Sequence, residues 1–285
     1  MTGVLYIVAT PIGNLDDISL RAIATLNAVD LIAAEDTRHS KYLLNHLKIE
    51  TPMISCHEHN ENARSEVLLE KLTAGSDIAL ISDAGTPLIS DPGYRLVVAA
   101  QQAGIQVSPI PGANSAIAAL SAAGLPTKNF YFCGFLSSRD KERGLQLQVL
   151  REIDVTLVLF ESSHRIERLL QQLAQAFPEK QCVIAKELTK LHENFLRGSA
   201  AELLTRLQDD SVLSKGEFVV LIDNSADPAS KQLHSDDVAI LKVLLEEVSV
   251  KIAVKIAMRL TGKKKNELYQ QAIRLRDEAG PKMMD

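Results

Sequence analysis

Carboxylates placed just after apolar runs are the first residues here with chemistry to offer. ALISDAGTPLISDPG (79–93) passes from a buried-strand pattern into Ser82-Asp83. It then turns through Ala84-Gly85-Thr86-Pro87 and reaches Asp91-Pro92-Gly93 ahead of a helical pattern. In an open α/β sheet, ligands gather at the carboxyl ends of strands. A carboxylate there, as at Asp83, accepts hydrogen bonds from an amine or hydroxyl and repels phosphate. The competing role for Asp83 is a turn-former bonded to its own backbone. Asp91 reads as a helix N-cap. AAEDTRHS (33–40) sets Glu35 and Asp36 beside Arg38, again after a strand pattern. Two acids and an arginine could do acid–base work or orient a hydroxyl. Equally, Asp36 or Thr37 could cap the next helix, with Arg38 pairing locally.

Three further stretches carry polar groups. PIPGANSAIAAL (109–120) opens a helix near Ser115 whose small residues let a ligand or another backbone approach closely. SCHEHNENAR (55–64) alternates His57 and His59, but neither a cysteine nor a third histidine follows at zinc-like spacing. A polar loop lining a cleft is expected there, and no metal. FESSHRIERL (160–169) puts His164, Arg165 and Arg168 at a helix start, as phosphate contacts or as a solvated face.

The elements that position these groups alternate. Leu5–Val8, Asp30–Ala33, Pro52–Ser55, Ile78–Ser82 and Ile105–Ile110 read as strands. Amphipathic segments lie between them at 20–28, 39–47, 61–73 and 93–103, with another at 115–123. That alternation predicts a parallel sheet covered by helices. Gly124-Leu125-Pro126 reads as an inter-domain linker. Strands are then expected at Phe130–Phe135, Thr156–Phe160, Val183–Leu188, Asn194–Arg197 and Phe218–Ile222, with helices at 139–150, 164–176 and 199–208. The short break near Thr189–His192 predicts a hairpin and so a mixed sheet. After the polar stretch Asn224–Ser235, three helical patterns follow at 236–247, 249–261 and 264–276. Thr261-Gly262 separates the last two in helix-turn-helix fashion. The expected domains are 1–123, 126–224 and 236–285.

Bulk properties bound the function. The 285 residues are 46% hydrophobic and 24% charged, as in soluble globular proteins. The longest apolar runs are strand-sized, the N-terminus lacks a signal-peptide pattern, and three scattered cysteines suit a reducing cytoplasm. The net charge is −5, yet 249–276 holds eight basic residues against Glu267 alone, +7, so the remainder carries about −12. An acidic body with a basic end predicts a nucleic-acid contact at that end. Lys251, Lys255 and Arg259 recur every four residues and share a helix face beside an apolar stripe of Ile252, Ile256 and Leu260. Aromatics are 4% of residues and tryptophan is absent, which favours shape and phosphate contact over extensive base stacking.

No phosphate cradle is present: neither a Walker lysine loop nor a dinucleotide fingerprint occurs. The first strand turns instead through Thr10-Pro11-Ile12-Gly13-Asn14, with one glycine and a proline that removes a donor. S-adenosylmethionine suits such a layout, with its sulfonium, its amino-acid tail and an adenosine without phosphate.

Together, GVLYIVATPIGNLDDISLRA, DLIAAEDTRHSKYLL, ISDAGTPLISDPG, PIPGANSAIAAL, FYFCGFL, FESSHRI and KGEFVVLI resemble the small-subunit ribosomal RNA methyltransferase I family. This is a branch of the tetrapyrrole-methylase, or class III, methyltransferases. The resemblance covers essentially the whole chain. It implies an α/β protein with a parallel-sheet domain, a mixed-sheet domain and a small helical C-terminal domain, with S-adenosylmethionine folded into the cleft between the first two. The implied reaction is 2′-O-methylation of a cytidine ribose in the decoding region of 16S ribosomal RNA in the small subunit, with a homodimer left open. The family's cofactor position in the first loop matches Ile12, with Pro11 beside it as apolar wall. The Gly-Asp-Pro motif of relatives matches Ser82-Asp83-Ala84, and an insertion follows in which Thr86, Pro87, Leu88 and Ile89 are the contact candidates. Ser115-Ala116 matches a further contact pair, and Phe160 and Gly216 lie where relatives meet adenine and ribose.

Methyl transfer to an alcohol is an in-line displacement helped by a general base. Glu35 and Asp36 are the candidates, with Arg38 holding a phosphate or an acid. Arg38, Arg64, Arg139 and Arg165 are expected near the cleft as further RNA contacts. Two other readings compete: a same-fold methylase of a small molecule, and a non-enzymatic DNA-binding regulator that senses a metabolite.

Overall fold

The computed structural model describes residues 2–57, 60–210, 212–225, 235–263 and 265–278. The chain divides into two compact units, Met1–Ser225 and Ala226–Asp285.

The first unit begins with five β–α repeats: β1 (Val4–Val8), α1 (Leu20–Ala28), β2 (Leu31–Ala34), α2 (Thr37–His46), β3 (Met53–Ser55), α3 (Glu61–Thr73), β4 (Ile78–Ile81), α4 (Tyr94–Gln102), β5 (Gln106–Ile110) and α5 (Ser115–Ala123). The strands form one sheet in the order β3-β2-β4-β1-β5. Every pairing in it is parallel. Strand β4, Ile-Ala-Leu-Ile, is buried throughout, as a central strand covered on both faces must be. Leu26, Ile32 and Ile81 pack on one side of the sheet, and Leu68, Leu80 and Leu96 on the other.

A second sheet follows: β6 (Phe130–Phe135), α6 (Asp140–Arg151), β7 (Thr156–Ser162), α7 (Ile166–Ala176), β8 (Cys182–Lys186), β9 (Asn194–Gly198), α8 (Ala200–Asp209) and β10 (Glu217–Asp223). Its order is β6-β7-β10-β8-β9. Only β6 and β7 run parallel, and β8 and β9 make the expected hairpin. One face is covered by α6, α7 and α8. The other packs on α5, where Ala116, Ala119, Leu120 and Ala123 meet Val158, Val183, Val219 and Leu221. Alanines along α5 let the helix lie close to the strands. The helix that ends the first half is therefore part of the second sheet's core, and the two sheets form one unit.

In the second unit, α9 (Ser235–Glu247), α10 (Val250–Thr261) and α11 (Lys265–Glu278) pack around Leu241, Ala253, Val254, Ala257, Leu268 and Ala272. Gly262 closes α10 in the left-handed conformation at φ +69°, where a glycine has no Cβ penalty. The expected stripe of Ile252, Ile256 and Leu260 is not what α10 buries. Ile252 is 49% and Leu260 65% exposed, and the buried face lies one position on, at 253, 254 and 257. Small residues carry little weight in a hydrophobicity pattern, yet they permit the tightest helix packing.

Candidate active site

The site forms where the loops after β1, β2 and β4 face the second sheet. The loop after β1 is a bracket. Thr10 N–H donates to the Gly85 carbonyl (2.9 Å) and Gly85 N–H donates back (3.1 Å), while the Thr10 hydroxyl donates to the Ser82 carbonyl (3.2 Å). Ile12 packs with Ala116, Leu188 and Val219, so this loop joins the β4 turn to the second sheet. Gly13 is required by close approach: a Cβ there would lie 2.6 Å from Lys190 Cγ and 2.9 Å from the Leu188 carbonyl oxygen.

Glu35 and Asp36, adjacent in sequence, divide two tasks. Asp36 caps α2, its Oδ1 accepting from Arg38 N–H (2.8 Å), and it pairs with the Arg38 guanidinium at 3.0 Å. The Arg38 guanidinium and the backbone bonds hold the Asp36 carboxyl down at about 2. Arg38 is 91% exposed at its side chain and spends its charge on this pair. Glu35 instead lines the cleft. Its Oε2 accepts from Asp83 N–H (3.2 Å), while Asp83 Oδ1 accepts from Asp36 N–H (3.1 Å). These reciprocal bonds lock the ends of β2 and β4 together. Burial, with the nearby Asp83 charge, raises the Glu35 pKa against the opposing Asp83 N–H.

Asp91 departs from its expected role. The N-cap of α4 is Gly93, at φ +124°, and its cap is supplied from another helix. Glu61 Oε1 accepts from both Gly93 N–H (3.1 Å) and Arg95 N–H (3.0 Å). Released from capping, Asp91 lines the cleft with Glu35 and Asp83. Burial first, then the Glu35 charge, pushes its pKa up to about 6 against a bond from the Ser82 side chain. The loop before it is strained, with Leu88 at φ 72° and Ser90 at φ 71°.

The cleft has a volume of about 470 Å³. From the first sheet it is lined by the carboxylates of Glu35, Asp83 and Asp91; Glu161 and Glu217 line it from the second, paired with Arg165 and Lys190. Its apolar side comes from Ile12, Phe135 and Phe160, the two rings meeting edge-on at 5.6 Å. Among the described residues that line it there is no lysine or arginine. A cationic or neutral ligand fits such a lining and a phosphate does not.

Of the expected cofactor contacts, Ile12, Asp83, Thr86, Ile89, Ser115, Phe160 and Gly216 line this cleft. Gly216 sits at φ +110°, over the Glu187 side chain. Pro11 lines the neighbouring groove. Pro87 is buried, Leu88 packs beneath the first sheet, and Ala116 lies in the core under α5. Of the expected RNA contacts, Arg139 is ion-paired with Glu142, and Arg64 is half-buried on α3. Arg165 donates to the carbonyls of Leu136 (2.6 Å) and Ser137 (3.3 Å) and lies 3.1 Å from Glu161, which fixes it as a clamp on the β6 end. Lys251, Lys255 and Arg259 are exposed on α10. His57 Nε2 lies 3.1 Å from the Asn60 side-chain nitrogen, and His59 is outside the described residues.

Fold and lining place the protein in a known class. The model of the Tetrapyrrole (Corrin/Porphyrin) Methylases matches residues 4–204, and that of the RsmI C-terminal HTH domain matches 232–276. A diphthine synthase structure superposes with a TM-score of 0.62 at 17% identity, covering 81% of this chain and 92% of that one. A Thermus thermophilus uroporphyrin-III C-methyl transferase, complexed with S-adenosyl homocysteine, gives 0.54 at 16% identity, covering 77% and 97%. A Pseudomonas aeruginosa protein named Ribosomal RNA small subunit methyltransferase I is 46% identical over 273 residues, 95% of this chain and 97% of its own. The chain belongs to the ribosomal RNA small subunit methyltransferase I family, within the tetrapyrrole methylases.

Proposed function

We propose that this protein transfers a methyl group from S-adenosylmethionine to ribosomal RNA of the small subunit, at the 2′-hydroxyl of a cytidine in the decoding region. The observation that carries the reading is the cleft itself, which combines carboxylates with an apolar wall and has no lysine or arginine among the described residues that line it. The bound cofactor supplies an electrophilic methyl on a sulfonium. Asp83 and Asp91 offer acceptors and negative charge to its ammonium and sulfonium end. Ile12 and Phe160 offer apolar surface to its adenine. Support from outside the site comes from relatives of this length that carry the rRNA methyltransferase name.

Glu35 is the favoured general base. It lines the cleft, and a raised pKa brings a carboxylate closer to what proton abstraction from an alcohol needs. Asp36 caps and Arg38 pairs with it, so their part in catalysis is the positioning of Glu35 on the β2 end. On α10, Lys251, Lys255 and Arg259 carry phosphate contacts.

Incubation with labelled S-adenosylmethionine and hypomethylated small subunits, followed by mapping of the modified nucleotide, tests the reading. Label on a cytidine ribose is expected; label on a base, or none on RNA, refutes it. Replacing Lys251, Lys255 and Arg259 by glutamine should also flatten the salt dependence of RNA binding. On a single strand the log–log slope should fall by about 0.7 for each phosphate that is no longer neutralised.

A further inference from the structure

A second cavity adjoins the cleft. It is an open groove of about 920 Å³, walled by α2, by the loop after β1 and by the turn between β8 and β9. Asp83 lines both cavities, so the groove and the cleft meet at this residue. The α2 wall is His39, Tyr42, Leu43 and His46, one face of the helix at i, i+3, i+4 and i+7. Tyr42 is 70% exposed. Lys41 is exposed on the adjoining face, beside Arg38 in its pair with Asp36. From Thr37 to Ile49 there is no acidic residue, although the body of the chain is acidic. Across the groove Asp16 presents a carboxylate, while Asn14 Oδ1 accepts from Asp16 N–H (3.1 Å). Lys190 also lines it but is held by Glu187 and Glu217, at 3.0 Å each.

We infer that this groove holds the single-stranded RNA segment flanking the methyl-accepting nucleotide, with one base stacked on Tyr42. The inference rests on the proposed activity and adds the path of its substrate. A polynucleotide needs a cationic side for its phosphates and a face for its bases. The α2 helix offers both, Lys41 and Tyr42 being exposed beside a groove that shares Asp83 with the cleft, and the Asp16 carboxylate opposite suits a base amino group. The acid-lined cleft repels phosphate, so the strand reaches it by one nucleoside while the backbone stays along α2.

The test compares Tyr42→Ala and Tyr42→Phe with the wild type, using hypomethylated small subunits, a single-stranded oligoribonucleotide and S-adenosylmethionine. One stacked base accounts for about a tenfold change in affinity or more. Tyr42→Ala should therefore raise KM for the subunit, and Kd for the oligonucleotide, by about tenfold. Tyr42→Phe should restore both, and calorimetry should show the cofactor Kd unchanged. The inference is overturned if Tyr42→Ala leaves KM and Kd as they were, or if Tyr42→Phe is equally defective. Loss of subunit affinity with oligonucleotide affinity intact would also overturn it, by pointing to a ribosomal protein as the partner. A wild type that methylates RNA beside an unaffected Tyr42→Ala leaves the proposed activity standing and removes only the groove. A wild type that labels no RNA removes both.

Discussion

Every strand of the first sheet points its carboxyl end at one edge, whereas the second sheet runs parallel only between β6 and β7. The first sheet consequently gathers its polar loops at a single place: Glu35 follows β2, and Asp83 and Asp91 follow β4. The second sheet, with strands in both directions, contributes mostly side chains from a strand face, among them Phe160 from β7 and Val219 from β10. The first sheet supplies carboxylates with no arginine or lysine paired to Glu35, Asp83 or Asp91 among the described ion pairs, whereas the second supplies aromatic surface and two carboxylates, Glu161 and Glu217, that are already held by Arg165 and Lys190. A ligand with a cationic end and a flat apolar end is matched by this division. Helix α5 couples the halves, because its N-terminus lines the cleft while its body fills the second sheet's core.

The sharpest way to break the comparison is to remove the charge function of the first sheet alone. Glu35→Gln should lower turnover by roughly a hundredfold or more, the scale of a lost general base, with cofactor affinity within about twofold. Single-turnover rates and calorimetry on the same preparation check this. Near-normal turnover would move the base elsewhere. Asp36→Asn, which keeps a capping side chain, should leave turnover close to normal.

The reciprocal change removes surface from the second sheet. Phe160→Ala should weaken cofactor binding by about tenfold, since a buried aromatic face is worth more than 1 kcal/mol, and leave turnover at saturating cofactor close to wild type. A fall in saturated turnover as large as that of Glu35→Gln would erase the distinction between the sheets.

The smallest expected effect concerns stability. With a folded pKa of about 6 against an ordinary 3.8, Asp91 is favoured in the fold when protonated. Its contribution is therefore fully present below about pH 4 and lost as pH rises through about 6. Asp91→Asn removes that loss. Without cofactor, the variant should melt about 2–4 °C above wild type at pH 8, the shift that ~1 kcal/mol produces at this size, and with wild type at pH 4. Equal melting temperatures at pH 8 would show that the carboxylate is compensated.

Helices α1, α3 and α5 span the residues that apolar periodicity assigns, and the hairpin at Thr189–His192 is present. Strand-end acids are legible in the sequence because a parallel sheet dictates where loops collect. Which of two adjacent acids faces the ligand is not. Glu35 and Asp36 differ by one step along an extended backbone, which reverses side-chain direction, and only the bond from Asp83 N–H shows which one turns inward. Asp91 defeats a local reading because Asp-Pro-Gly before a helix is a capping signal, whereas the cap comes from Glu61, distant in sequence. Tyr42 reads as one aromatic in an amphipathic helix; the acid-free run from Thr37 to Ile49 around it is the signal that sets it apart.

The borrowed cap on α4 also bears on how the chain folds. An isolated α4 lacks a side-chain acceptor for its first amides, so its N-terminal turn closes only after α3 has docked beside it. The two bonds that Glu61 accepts span 32 and 34 residues. They make the start of α4 a late, non-local event in a helix that would otherwise form early. Hydrogen exchange at the Gly93 and Arg95 amides then reports the parting of α3 from α4, and not the fraying of one helix end. The loop carrying Asp91 is thereby set in place by an assembly step, and the cleft acquires the Asp91 carboxylate only when that step is complete.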